Sequence, residues 1–311
     1  MLIWADRKIR SMGSVAELMV CIDEAEADDL ADWGVEQLRR LERLWSRFDP
    51  TSELCRINAH PDVEHVVSPE TFALIDRAIA LWRSTDGRFD PTVLAALEAV
   101  GYDRSFEQVL QRARPRPADC MPTPGCIGIK LDHVNGTVTL PRGVRLDLGG
   151  VGKGFAADCV AAWLIERGAT SACIGMGGDI RVAGACPIEG GWPITVENPI
   201  NPESPICVAP VEVGAIVMSS IVVRNWPTAN GQTAHHLIEP STGRPSTTGL
   251  VAVAVQADEA WWAEGLAKAA LLAGPVDGQN LLRFYGVGAW LVADDGTITT
   301  VVRSATLQTS R

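Results

Sequence analysis

An α+β fold is what this sequence predicts, and three observations carry the prediction. Two amphipathic helical patterns come early in the chain, at 28–48 and 68–85. Short β-rich runs of five to seven residues fill much of the remainder. Two proline-rich stretches, "ARPRPADCMPTPG" at 113–125 and "ENPINPESP" at 197–205, break the pattern and read as surface connections. A chain of 311 residues that is 47% hydrophobic can bury a large core, either as one compact unit or as two lobes sharing a cleft and joined near 113–125.

Taken in order, the first twenty residues scatter their charges and contain no continuous apolar run, so they predict neither a secretory signal nor a membrane span. From Asp28 to Phe48, the residues Leu30, Leu38, Leu41, Leu44, Trp45 and Phe48 recur at helical spacing with Arg and Glu between them. A second helix starts at Ser68, where a cap is followed by Pro69 at the first position and Glu70 in the first turn; it ends near Thr85, before "DGRFDP". Beyond each proline-rich break come strand candidates: "IGIKLD", "GTVTL", "SACIG", "WPITVE", "LVAVAVQ" and "VGAWLVA". A further helix runs from Phe155 to about Arg167. No repeat or low-complexity tract interrupts them.

The formal net charge of −11 argues against a general nucleic-acid binder, because phosphate backbones are gripped by clustered Lys and Arg. An anionic ligand must therefore be held locally. Cys55, Cys120, Cys126, Cys159 and Cys173 form no C-x-x-C pair and no zinc spacing, which predicts reduced thiols in the cytoplasm.

"RLDLGGVGKGFAADCV", residues 145–160, is the stretch best suited to hold phosphate: a strand-like run, clustered glycines, one lysine, then a helix. Glycine-exposed N–H groups feeding a helix start bind anions by geometry and dipole. A Walker A loop is excluded, since Asp147 stands where its first Gly belongs and Gly154 where its Ser or Thr belongs. The dinucleotide fingerprint fails twice: Phe155 replaces its third Gly after Gly150 and Gly152, and Ile180 does so after Gly175 and Gly177. A tight strand-to-helix turn with Lys153 in solvent is the alternative.

Six segments, in order, resemble the FAD:protein FMN transferases, the ApbE family. They are "SMGS" at 11–14, "SELCRINA" at 52–59, "GRFDPTV" at 87–93, "LDLGGVGKGFAAD" at 146–158, "MGGDIRVAG" at 176–184 and "HHLIEPSTGRPS" at 235–246. The resemblance covers nearly the whole chain. It implies a two-lobed architecture related to the T-fold, with mixed or antiparallel sheets flanked by helices and a cleft for FAD. It further implies that FMN passes from FAD to a Ser or Thr hydroxyl of an acceptor flavoprotein, with AMP leaving. Such chemistry needs charge neutralised on the diphosphate, in-line positioning and a base for the hydroxyl. By resemblance, Met12, Asp147 and Lys153 contact FAD, and Gly177, Gly178 and Asp179 shape the nucleotide pocket. Asn58, Asp90, Thr92, Ser219 and Leu237 complete the FAD-binding set on the matching motifs. Asp147 could equally be a turn aspartate capping its own loop. His236 is the expected base or proton shuttle, as imidazole exchanges protons near neutral pH; His235 should point the opposite way in an extended segment.

The family usually binds Mg2+, and the resemblance assigns the metal to the Gly150 carbonyl and to an Asp and a Thr on a helix. Here "AWWAEGLAKAALLAG", residues 260–274, carries Glu264 and Lys268 at those positions. Lysine has three donors and no acceptor, so it does not ligate Mg2+ while charged. Two outcomes stay open: the ammonium stands in for the ion, or Glu264 and Lys268 form an ordinary helix-surface pair, worth about 0.2–0.5 kcal/mol. Trp261 and Trp262 either stack on a flavin or adenine ring or pack in the core. Two rival functions accompany the transferase reading: a carrier that binds FAD without chemistry, and hydrolysis of FAD to FMN and AMP.

Overall fold

The computed structural model describes residues 2–22, 26–115, 118–229 and 231–304. Part of the 113–125 connection, residues 116 and 117, lies outside them. Eight strands, Ile3–Ser11, Ser14–Ile22, Ser171–Met176, Asp179–Gly184, Gly214–Ser220, Leu250–Ala257, Gly288–Ala293 and Ile298–Val301, form one sheet in chain order. Every pairing in it is antiparallel. The helices are α1 (Ala27–Trp45), α2 (Glu53–Ala59), α3 (Pro69–Ser84), α4 (Leu94–Ala99), α5 (Phe106–Gln111), α6 (Gly152–Glu166) and α7 (Ala260–Phe284).

The two-residue period of the strands sorts the core into layers. Val253, Val255 and Ala257 pack with Leu266, Ala270 and Leu271 of α7, whereas Ala254 faces the other way, onto Trp192, Ile194 and Val211. Those three belong to a hairpin, Trp192–Val196 with Cys207–Val211, whose connecting loop is the predicted one at 197–205. Both faces of Leu250–Ala257 are thus covered, which explains why its sequence is a continuous apolar run and not an alternating one. The larger cluster joins Leu18, Val20, Ala172 and Ile174 of the sheet to Leu38 and Leu41 of α1 and to Val160, Ala161 and Leu164 of α6.

The predicted helices form where expected. Ser68 caps α3 through its side chain, with Pro69 at the start of the helix. α1 ends at Trp45, because Ser46 turns extended; Phe48 therefore leaves the helix face assigned to it and is 44% exposed. α6 begins at Gly152, three residues before the expected start, because the Gly152 N–H already bonds to the Leu148 carbonyl. The N-terminal strands were not legible in the sequence. They are joined by a two-residue turn in which Met12 and Gly13 both take positive φ, 50° and 67°, the geometry that matches strand twist in a tight hairpin. Among the described residues, no helix is long and apolar enough to cross a membrane.

Candidate active site

A cavity of about 690 Å3 lies between the Met12 turn, the end of α1, the 147–150 loop with the start of α6, the segment 236–238, and Lys268 of α7. Its lining combines the aromatic rings of Phe48, Phe89, Tyr102 and Phe106 with Gly150, Lys153, Arg224, His236 and Lys268. A pocket with apolar walls and a few convergent polar groups is the form a ligand site takes.

Of the residues singled out in the sequence, Met12, Asp90, Asp147, Gly150, Lys153, His236, Leu237 and Lys268 line this cavity. The Met12 N–H donates to Glu42 Oε1 at 2.8 Å, and Ser11 Oγ donates to Glu42 Oε2 at 3.0 Å, so one carboxylate of α1 holds the strained turn. The other expected residues, Asn58, Thr92, Gly177, Gly178, Asp179, Ser219 and Glu264, are not part of its lining. The Asn58 amide spends both its ends on the Leu146 backbone, at 2.8 Å each, and so fixes the segment leading into Asp147, which is not a strand. Asp90 accepts from the Thr92 N–H and hydroxyl and, through its other oxygen, from Thr123 Oγ1 at 2.5 Å. Thr92 in turn accepts from the Gly125 N–H, which fastens the proline-rich connection to this turn. Gly177 and Gly178 take positive φ in the turn before Asp179. Asp179 is buried, accepting from Lys153 and from the Met218 N–H. Ser219 is also buried, and its hydroxyl has no hydrogen-bond partner among the described residues.

Asp147 caps its own loop. Its Oδ1 accepts from the Gly149 N–H at 2.7 Å while Oδ2 pairs with Arg47 Nε at 2.9 Å. Arg47 was not legible as a site residue. Its guanidinium carbon sits 4.3 Å from the Phe48 ring centroid and 4.4 Å from that of Tyr102, and Nη1 donates to the Tyr102 carbonyl. Nothing in the local sequence distinguishes it from a surface arginine, since Asp147 and Tyr102 come from distant segments.

Lys153 donates to Asp179 and lines the cavity. Burial lowers its pKa, but Asp179 and Glu264 more than offset this and raise it above the ordinary value, so it stays charged. His236 Nδ1 lies 3.3 Å from the Arg224 carbonyl. A carbonyl only accepts, so Nδ1 carries the proton and Nε2 is left as the basic nitrogen. Burial first, then the charges of Arg224 and Lys268, hold the imidazole well below its ordinary 6.5; it is neutral at neutral pH. His235 is turned away, with Nε2 3.0 Å from the Ser246 carbonyl.

Helices α6 and α7 cap each other across their starts. Glu264 of α7, fully buried, accepts from the Gly154 N–H in the first turn of α6 at 2.8 Å. Asp158 of α6 accepts from the Ala260 and Trp261 N–H groups, at 3.0 and 2.9 Å, at the start of α7. Neither helix has a side-chain cap of its own, and carboxylates at helix N-termini satisfy orphan donors and the dipole together. This requires close approach. A Cβ at Gly154 would stand 2.6 Å from backbone atoms of Ala260, so the position admits only glycine. Trp261 and Trp262 pack against the core clusters, which settles the choice left open for them in favour of core packing.

The expected Mg2+ set fails on donor chemistry. Glu264 Oε1 accepts from Lys268 Nζ at 3.0 Å and Oε2 from Gly154, so both oxygens are committed. Lys268 is a donor only. Among the described residues, no three His, Cys, Asp or Glu side chains gather where one ion could reach them. Mg2+ takes waters and substrate phosphate oxygens but is anchored by one or two carboxylates, and here the single carboxylate at the expected positions already accepts from Lys268 and Gly154. These residues do not fit Mg2+.

Residues 12–291 match the model of the ApbE family. An FAD:protein FMN transferase of Klebsiella pneumoniae (strain 342) is 25% identical over 292 residues, covering 92% of this chain and 83% of that protein. One from Treponema pallidum (strain Nichols) is 28% identical over 276 residues, covering 83% and 75%. The crystal structure of the ApbE protein of Thermotoga maritima superposes with a TM-score of 0.85 at 27% identity, covering 96% of this chain and 97% of that one. The flavin transferase ApbE of Vibrio cholerae shares the fold with a TM-score of 0.78 at 23% identity, covering 98% of both chains. With the family model matched over residues 12–291, most of its length, the chain belongs to the ApbE family.

Proposed function

We propose that this protein transfers FMN from FAD to a Ser or Thr hydroxyl of an acceptor flavoprotein. The observation that carries the reading is the meeting, in one cavity, of a neutral His236, the glycine loop at the start of α6, and the cations Lys268 and Arg224. FAD places its diphosphate against Lys268, Arg224 and the glycine loop, where backbone N–H groups and fixed positive charge oppose its two negative charges. The aromatic rings of the lining take a flat ring system. The acceptor hydroxyl oxygen bonds to the phosphorus on the riboflavin side as the bridging P–O bond to AMP breaks. AMP leaves with that electron pair, and the hydroxyl proton passes to His236 Nε2. The relatives named for this reaction support it, as does the family match over residues 12–291.

The test is incubation with FAD and a flavin-acceptor domain, reading AMP release and the mass of the domain. A gain of one FMN on the acceptor, matched by AMP, is the expected result. AMP with free FMN and an unmodified acceptor would identify a hydrolase. Tight FAD binding with neither product would identify a carrier.

A further inference from the structure

Lys268 occupies an unusual place for a lysine. Its side chain is 14% exposed and its partner Glu264 is 0% exposed, so this is a buried ion pair set in the cavity wall. Buried ammonium is costly unless its charge is used. Only one of its three donor positions is taken among the described residues, by Glu264 Oε1 at 3.0 Å. A side chain at Gly150 would come 3.6 Å from Lys268 Cδ, so the lysine stem runs along the glycine loop. His236 senses the same charge, since Lys268 is among the groups that depress its pKa. Glu264 is itself tied to the first turn of α6, and that tie fixes the ammonium relative to the N–H groups of the loop.

We propose that Lys268 is a resident cation for the FAD diphosphate, held by Glu264 beside Gly150, and that FAD binding in this chain needs no divalent metal. The inference rests on the transferase reading for its ligand and goes beyond it, because it assigns the counter-charge to a side chain. Glu264 is a positioning residue here: it holds the ammonium and gives no oxygen to an ion. A fixed point charge also needs no reorganisation when the diphosphate arrives.

The experiment is an FAD titration of the whole chain by flavin fluorescence, in chelator and again in Mg2+, with Mn2+ binding followed in parallel by loss of the free-ion resonance signal. The wild-type protein is expected to bind FAD equally well in both, and to take up no Mn2+ beyond what FAD alone takes. Lys268→Met should weaken FAD binding in chelator about tenfold or more, the loss of one charge-assisted contact. Lys268→Thr with Glu264→Asp should bind FAD more tightly when Mg2+ is added and should take up Mn2+. If Lys268→Met does not fold, the wild-type comparison decides alone. Tighter wild-type binding in Mg2+ by tenfold, or stoichiometric Mn2+ uptake, overturns the proposal and leaves the transferase reading intact. Metal-free FAD binding with no FMN transfer to any acceptor refutes that reading and leaves Lys268 in its role. Failure to bind FAD under either condition refutes both.

Discussion

Replacing Glu264 by alanine is the perturbation whose cost follows most directly from the structure. On a helix surface, a Glu and a Lys four residues apart contribute about 0.2–0.5 kcal/mol, and the loss would be hard to measure. Here Glu264 is fully buried and satisfies two donors at once, Lys268 Nζ at 3.0 Å and the Gly154 N–H at 2.8 Å. Its carboxyl is held below the ordinary value, because Lys268, Lys153 and the Gly154 N–H outweigh the burial that opposes ionisation. Removing one partner of such a pair leaves a buried charge uncompensated, at about 3–5 kcal/mol, and that range includes the orphaned N–H of α6. We expect Glu264→Ala to lose about 4 kcal/mol in equilibrium urea unfolding at neutral pH, followed by tryptophan fluorescence, a large fraction of a typical domain's stability. Glu264→Leu combined with Lys268→Met should lose less, since no ammonium is then left unpaired. A loss below about 1 kcal/mol for Glu264→Ala would refute the reasoning, as it is the value of an exposed pair.

Two further outcomes are expected. His236→Ala should slow FMN transfer by about 10²–10⁴-fold with little change in FAD affinity. Because the imidazole sits well below 6.5, the wild-type rate should hold down through pH 6.5 and fall only at lower pH, a limb the variant lacks; normal turnover in the variant would remove His236 as base. For Asp158, burial pushes the carboxyl from 3.8 up to about 6, so the native state binds its proton more tightly than the unfolded chain does. That contribution to stability is complete below 3.8 and lost as pH rises through about 6. The stability of wild type relative to Asp158→Asn should therefore decline between pH 4 and 7 in urea unfolding, and a pH-independent difference would contradict the assignment.

Much of this protein was determined by sequence alone, and the physical reason is locality. The period of Leu30, Leu38 and Leu41, the Ser68–Pro69 start and the apolar run at 250–256 each encode their element within a few residues. The ordered motifs carried the family as well, because they are read without knowing what touches what. Tertiary structure decided what those residues do. Asn58 and Thr92, expected at the ligand, hold backbone and do not line the cavity, a placement set by partners 88 and 33 positions away. Arg47 enters the site only because Asp147, Phe48 and Tyr102 converge on it. The pairing of Glu264 with Lys268 was written in their spacing, but whether it is a surface ornament or a buried charge depends on α6 crossing α7 at Gly154. A side chain's chemistry is local, whereas its burial, and with it the energy of its charge, belongs to the packed molecule.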